Sequence, residues 1–144
     1  MIRFLVVAFQ FISLTAATEW ATTVDIESEE PFEFFECLAH SGYDGVFVRV
    51  YAPTNGGEVD AAALENIDRA VNFADTLSRI EMYIVPNATS SIPANDQMDE
   101  ALQYALRSKT PVRAMWIKVA NPSNWSNDTL QNVDFLKTAI DYFR

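Results

Sequence analysis

Residues 45–51 have the sequence Gly-Val-Phe-Val-Arg-Val-Tyr, and residues 53–57 have the sequence Pro-Thr-Asn-Gly-Gly. A short run of β-branched and apolar residues that ends at a proline- and glycine-rich turn predicts a buried strand. The segment after the turn, residues 60–76, predicts a helix because its apolar side chains recur at helical spacing. Those side chains are Ala63, Ile67, Ala70, Val71 and Ala74. The two segments together predict one strand followed by one helix.

One more strand–helix unit precedes this one in the chain, and two more follow it. The pattern predicts strands at residues 21–26, 79–85 and 112–119, and helices at residues 31–40, 95–107 and 128–143. The apolar face of the last helix consists of Val133, Leu136, Ile140 and Phe143. Strands that alternate with helices predict an α/β fold with a parallel sheet, which is either doubly wound or closed into a barrel.

Chain length separates these two architectures. A complete (β/α)8 barrel needs ~250 residues, whereas this chain has 144. A flavodoxin-like open sheet is the rival architecture. However, no glycine-rich phosphate loop follows the strand predicted at residues 21–26, which is the first in the chain. We therefore expect four βα units that resemble the N-terminal half of a TIM-type (β/α)8 barrel and leave that barrel incomplete.

The N-terminal residues have the pattern of a secretory signal. Arg3 precedes an apolar stretch at residues 4–14, and residues 15–17 are Thr-Ala-Ala, with small side chains where signal peptidase cleaves. The stretch is shorter than the ~20 apolar residues of a membrane span. We expect a signal peptide at residues 1–17, one domain at residues 18–144, and a secreted, extracellular protein.

The composition excludes several partners. The formal net charge of −10 repels nucleic acid phosphates and anionic membranes, so we expect neither nucleic acid nor membrane as a partner. No zinc-ligand spacing, nucleophile elbow or phosphate loop occurs in the sequence. We therefore expect no metal and no cofactor.

Secretion exposes a chain to disulfide formation and N-glycosylation, so the only cysteine and the three glycosylation sequons bear on its covalent modification. We expect Cys37 to be a buried thiol beside Phe34 and Leu38. An intermolecular disulfide, or a partner cysteine outside this sequence, is the alternative. The sequons predict N-glycosylation at Asn87, Asn124 and Asn127, of which the last two are too close for both to be reliably occupied.

Lys118 is the chemical oddity of the chain. It lies in the apolar run at residues 112–120, which is typical of a strand covered on both faces. Burial of an unpaired charge is unfavourable. We therefore expect Lys118 near the end of its strand, where parallel strands build their sites.

Short sequence matches follow the mature chain in order, at residues 24–26, 37–38, 41–43, 47–51, 59–60, 82–86 and 115–117, with Asn66, Ala70, Pro122 and Trp125. In this order and spacing they resemble the lysozyme-like proteins of glycoside hydrolase family 25, in particular the secreted branch common in nematodes. The resemblance implies a modified barrel whose active members cut the β-1,4 bond after N-acetylmuramic acid in peptidoglycan. It also implies carboxylates at the ends of the first, fourth and sixth strands, the fourth supplying an Asp-x-Glu pair.

The chain departs from that pattern at the residues that carry the chemistry. Lys118 and Ala120 stand at the Asp and Glu positions, and Asp25 alone remains as a vestigial catalytic candidate. Alanine has no proton to give, and loss of the general acid removes most of a ~10²- to 10⁴-fold contribution. The resemblance thus predicts a catalytically degenerate lysozyme-like protein of innate antibacterial defence, with bacterial cell-wall glycan as its partner.

Four side chains near strand ends are candidates for binding the glycan: Arg49, Tyr51, Tyr83 and Trp125. Arg49 has the alternative of an ion pair that neutralises Asp25, and Trp125 the alternative of covering the barrel edge. Trp116 is expected in the core.

Two other functions stay open. The first is an active glycosidase with a rearranged acid, in which Asp25 and Glu27 form the carboxylate pair. The second is a truncated, non-enzymatic fragment or a glycan-binding or signalling protein. A half barrel has open edge strands, so the fragment predicts a homodimer through those edges.

Overall fold

The structure, a computed structural model, describes residues 21–143. The predicted signal peptide at residues 1–17 lies outside the described residues. Five strands are formed: β1 (Thr23–Ile26), β2 (Gly45–Ala52), β3 (Glu58–Val59), β4 (Arg79–Ile84) and β5 (Met115–Ile117). Four helices are formed: α1 (Phe32–His40), α2 (Ala63–Val71), α3 (Ala94–Ala105) and α4 (Thr129–Tyr142). None of these helices is long and apolar enough to cross a bilayer.

The strands form one mostly parallel sheet in the order β1, β2, β4, β5. The short β3 pairs antiparallel with the end of β2. Parallel strands therefore lie side by side in chain order, unlike a flavodoxin-like sheet, in which the first strand lies inside the second. The predicted α/β class with a parallel sheet and four helices is confirmed.

One face of the sheet packs against the helices. Val46, Val48 and Val50 of β2 are fully buried there, with Phe35 of α1 and Ile67 of α2. Side chains alternate along a strand, so their neighbours point to the opposite side. We call that side the polar face, and it consists of Asp25, Phe47, Arg49, Glu81, Tyr83 and Trp116, which lie in matching register.

The prediction for the fourth parallel strand is wrong in length and in burial. β5 covers only Met115–Ile117, extended by one hydrogen bond from Lys118 N to Ile84 O of 2.9 Å. Among the described strands β5 pairs with β4 alone, and Trp116 is 52% exposed. An apolar run has the same appearance in an edge strand as in a covered one, because covering depends on neighbours that the run itself does not encode.

The prediction for the second helix is right for three of its five apolar side chains, because Val71 and Ala74 are exposed, and it is wrong in its end. Ala63, Ile67 and Ala70 are fully buried, but α2 ends at Val71 instead of residue 76. The side-chain amide of Asn72 donates to the carbonyl oxygens of Asp68 and Arg69 at 2.8 and 3.3 Å. Such local bonds compete with continuation of the helix.

Two further expectations are corrected by the packing of α1 and α4. Cys37 is exposed, because Phe35 and Leu38 fill the core and turn the thiol outward, 3.9 Å from Ser41 Oγ. In α4, the buried residue is Ala139, whereas Val133 and Ile140 of the predicted apolar face are exposed.

Candidate functional site

Lys118 joins the two outermost strands of the described sheet. Its Nζ lies 2.9 Å from Asp25 Oδ2 on β1 and 2.9 Å from Glu27 Oε1, which follows β1. On a flat sheet β1 and β5 would lie about 14 Å apart, three strand spacings. Side chains stand roughly perpendicular to a sheet, so a direct bond across that span indicates that the polar face is concave.

Arg49 holds Glu27 from the other side. Its Nη1 donates to Glu27 Oε2 at 2.9 Å and its Nη2 donates to the Glu27 carbonyl at 2.6 Å. Its Nε donates to Asp60 Oδ2 at 2.9 Å. The ion-pair alternative for Arg49 is therefore right in kind, but its partners are Glu27 and Asp60 instead of Asp25.

Tyr83 completes the contacts of Glu27. Its hydroxyl donates to Glu27 Oε1 at 3.0 Å, and the Lys118 ammonium lies 5.1 Å from the centre of its ring. Burial is the main cause that raises the pKa of Tyr83, and the hydrogen bond to Glu27 adds to it. Tyr83 is thus a buried neutral donor that orients the carboxylate.

The charges at this site are fixed in one pattern. The hydrogen bond from Lys118 is the largest cause that lowers the pKa of Glu27, assisted by Tyr83 and Arg49 and opposed by burial. The hydrogen bonds to Glu27 and Asp25 raise the pKa of Lys118. A general acid needs the opposite arrangement, a carboxyl group whose pKa is raised. Glu27 is therefore held as a carboxylate and Lys118 as an ammonium.

Trp116 is an aromatic residue of the site that the sequence reasoning placed in the core. Its ring meets Phe47 edge to face at a centroid distance of 5.7 Å, and its Nε1 donates to Glu81 Oε2 at 3.3 Å. Both rings line a pocket of about 230 Å³ together with Asp25, Tyr83, Ile117 and Lys118. The spacing of two residues between Trp116 and Lys118 was the available signal, because it places both on one face of a strand.

Ala120 and Trp125 lie in the loop after β5. The indole of Trp125 donates to the carbonyl oxygen of Ala120 at 3.2 Å, and its ring meets Phe135 edge to face at 6.0 Å. These contacts favour the alternative in which Trp125 covers the edge of the fold. The methyl group of Ala120 supplies no carboxylate to the polar face.

Tyr51 lies in the hydrophobic core, so its side chain offers a ligand no exposed surface. Its hydroxyl has no hydrogen-bond partner, and burial is the main cause that raises its pKa to about 12. The ring packs against Gly57, whose φ is +118° and where a Cβ atom would lie 2.5 Å from the Tyr51 hydroxyl. We interpret Tyr51 as a core residue.

The three sequon asparagines lie in the loops that follow β4 and β5. Asn87 is half-buried, and its side-chain amide donates to Pro53 O at 3.2 Å. Asn124 is buried and Asn127 is exposed. Within residues 21–143, no group of three or more His, Cys, Asp or Glu side chains is arranged to hold a metal ion.

Comparison with known proteins places this chain in a family. A family model described as "Lysozyme-like protein 1" matches residues 16–144. The chain belongs to this lysozyme-like family. Lysozyme-like protein 7 of Caenorhabditis elegans is 30% identical over 125 residues, which is 87% of this chain and 43% of that protein. Lysozyme-like protein 3 of the same organism is 33% identical over 120 residues, 83% of this chain and 39% of that protein.

A more distant relative comes from a different organism. The Dictyostelium discoideum protein named "Probable GH family 25 lysozyme 4" is 25% identical over 142 residues, 96% of this chain and 62% of that protein. The predicted resemblance to nematode lysozyme-like proteins is thus confirmed. The chain spans about two fifths of the length of its nematode relatives. No solved structure shows significant similarity to it.

Proposed function

We propose that this lysozyme-like chain is a secreted antibacterial defence protein that binds bacterial cell-wall glycan without cleaving it. One observation carries the proposal. Lys118, at the position where the family resemblance implies an aspartate, forms ion pairs with both Asp25 and Glu27. The two carboxylates at the end of β1 are therefore engaged by a cation of the chain itself.

The electrostatics of the site oppose glycoside hydrolysis. The transition state resembles an oxocarbenium ion, which a carboxylate stabilises and a nearby cation destabilises. Ala120 has no proton to donate, and the lowered pKa of Glu27 keeps that group ionised. The alternative of a rearranged acid at Glu27 is disfavoured for the same reason.

The pocket on the polar face supports glycan binding. Small-molecule sites are typically concave and aromatic, with a few polar groups that orient the ligand. The pocket combines the exposed ring of Trp116 and the ring of Phe47 with the Lys118 ammonium and the Asp25 carboxylate. In this proposal the rings stack against the apolar face of a sugar, and the charged groups bind its hydroxyl and carboxylate substituents.

The shape of the sheet supports the half-barrel interpretation. The parallel strands follow one another in chain order, and the Lys118 bridge indicates a concave polar face. That face would then correspond to part of the interior of a barrel, whose remaining units would lie in the additional length of the relatives. Secretion is part of the proposal and is supported by the signal pattern at residues 1–17.

Two assays on the purified mature chain test the proposal. We expect the protein to sediment with insoluble peptidoglycan and to leave a suspension of bacterial cell walls turbid. Trp116→Ala should weaken sedimentation, whereas Leu130→Ala, which removes an exposed apolar side chain on α4, should not. If the unmodified chain clears the suspension and Asp25→Asn abolishes that clearing, the claim of inactivity is overturned. Equal sedimentation of Trp116→Ala and the unmodified chain would overturn the proposed binding face.

A further inference from the structure

We propose that Asn127 carries an N-linked glycan in the folded, secreted protein and that Asn124, three residues earlier, does not. The two sequons are adjacent in the loop between β5 and α4, at residues 124–126 and 127–129. Sequence pattern alone treats them alike. The structure separates them by the surroundings of the two acceptor nitrogens.

Asn124 lies against the rest of the fold. It is 8% exposed, and its Nδ2 atom is fully enclosed with no hydrogen-bond partner. Its backbone holds it in place, because Ala88 N donates to Asn124 O at 2.8 Å and Asn124 N donates to Asn121 O at 3.0 Å. A sugar attached to Nδ2 needs space that packed atoms occupy, so a chain glycosylated at Asn124 cannot adopt this fold.

Asn127 lies at the surface, in the turn that starts α4. Asp128 caps that helix by accepting a hydrogen bond from Leu130 N at 2.9 Å, and Asp128 N donates to Ser126 Oγ at 3.1 Å. These contacts order the residues on both sides of Asn127 while Asn127 and Thr129 are themselves exposed. The acceptor amide therefore carries a glycan without disturbing the native contacts.

The transfer needs a donor from the secretory lumen, namely an oligosaccharide on a lipid pyrophosphate. A bond forms between Asn127 Nδ2 and C1 of the first sugar, and the bond between C1 and the pyrophosphate oxygen breaks. The amide loses one proton, and the lipid pyrophosphate is the leaving group. Because glycan transfer precedes folding, folding selects among chains that already carry glycans. Chains modified at Asn124 fail to fold and are absent from the secreted pool.

Mass spectrometry of the secreted protein tests the proposal. The chain is secreted from eukaryotic cells, once with its own N-terminus and once behind an unrelated secretion leader. Enzymatic release of N-glycans in ¹⁸O water then converts each glycosylated asparagine to labelled aspartate. Trypsin places both acceptors in one peptide, residues 119–137, and fragmentation of that peptide assigns the label.

We expect the label at Asn127 and an unlabelled Asn124 with either leader. Asn127→Gln should remove the glycan of this peptide, whereas the matched variant Asn124→Gln should keep it. Label at Asn124 in folded protein, or an unlabelled Asn127 in protein secreted behind the unrelated leader, would overturn the proposal. Thermal unfolding of the two variants checks that each one is folded.

Discussion

Replacement of Lys118 by methionine removes one charge and keeps an unbranched apolar stem of similar length. Two ion pairs disappear, in which the Lys118 side chain is 36% exposed and the side chains of Asp25 and Glu27 are 51% and 47% exposed. Solvent screens pairs of this exposure to roughly 0.2–1 kcal/mol each. The contact with the Tyr83 ring adds about 0.5 kcal/mol. We therefore expect Lys118→Met to lower the free energy of unfolding by about 1–2.5 kcal/mol near neutral pH.

The pH dependence of this difference follows from the two shifted groups. The pKa of Glu27 is below its ordinary value of 4.5 in the folded state, so its contribution is present above pH 4.5 and is lost as the pH falls through the folded-state pKa. The pKa of Lys118 is above its ordinary value of 10.5, so its contribution is present below pH 10.5 and is lost at higher pH. The stability difference between the two proteins should be largest between these limits.

Urea unfolding followed by tryptophan fluorescence measures the difference. The matched control is Lys137→Met, because Lys137 is 69% exposed and its only ion pair within residues 21–143 is a long one of 3.9 Å to Asp134. We expect the control to change the free energy of unfolding by less than ~0.5 kcal/mol. A Lys118→Met protein that is as stable as the original chain at neutral pH would refute the reasoning. A difference that persists undiminished well below pH 4.5 would refute it equally.

Two other predictions concern the backbone and the edges of the sheet. Gly57→Ala should destabilise the fold by more than the ~1–2 kcal/mol of left-handed backbone strain, because the new Cβ atom meets the Tyr51 hydroxyl. Gly42→Ala should show the backbone strain alone, because nothing lies within 4 Å of its Cβ position. Equal urea midpoints for the two variants would contradict the expected difference in stability. The open edges β1 and β5 predict a homodimer in size-exclusion chromatography. A monomer at all concentrations would count against this prediction. The variant Cys37→Ser separates a disulfide-linked dimer from a non-covalent one.

Local patterns predicted most of the elements that build the sheet. The run at residues 45–51 became β2, and the helical spacing of Ala63, Ile67 and Ala70 placed the buried face of α2 correctly. Both signals depend only on residues close in sequence. The two-residue strand Glu58–Val59 was missed because its pairing with β2 depends on the turn between them and has no periodicity of its own.

The candidate site was predicted in part. The position of Lys118 near a strand end followed from the unfavourable burial of a lone charge. The central role of Glu27 did not, because its contacts with Arg49 and Tyr83 depend on how far the sheet curves. Curvature arises from packing between strands and helices, and no short stretch of sequence specifies it.

The bridge made by Lys118 also has a kinetic meaning. It joins residues 93 positions apart in the chain, and it spans the outer strands β1 and β5, between which β2 and β4 lie. Contacts of such long sequence separation generally form late in folding, because loop closure must precede them. An interaction that is absent from the transition state slows unfolding and leaves the folding rate nearly unchanged. We therefore expect Lys118 to lengthen the lifetime of the folded chain, a property that would suit the proposed secretion into surroundings where unfolded chains are degraded.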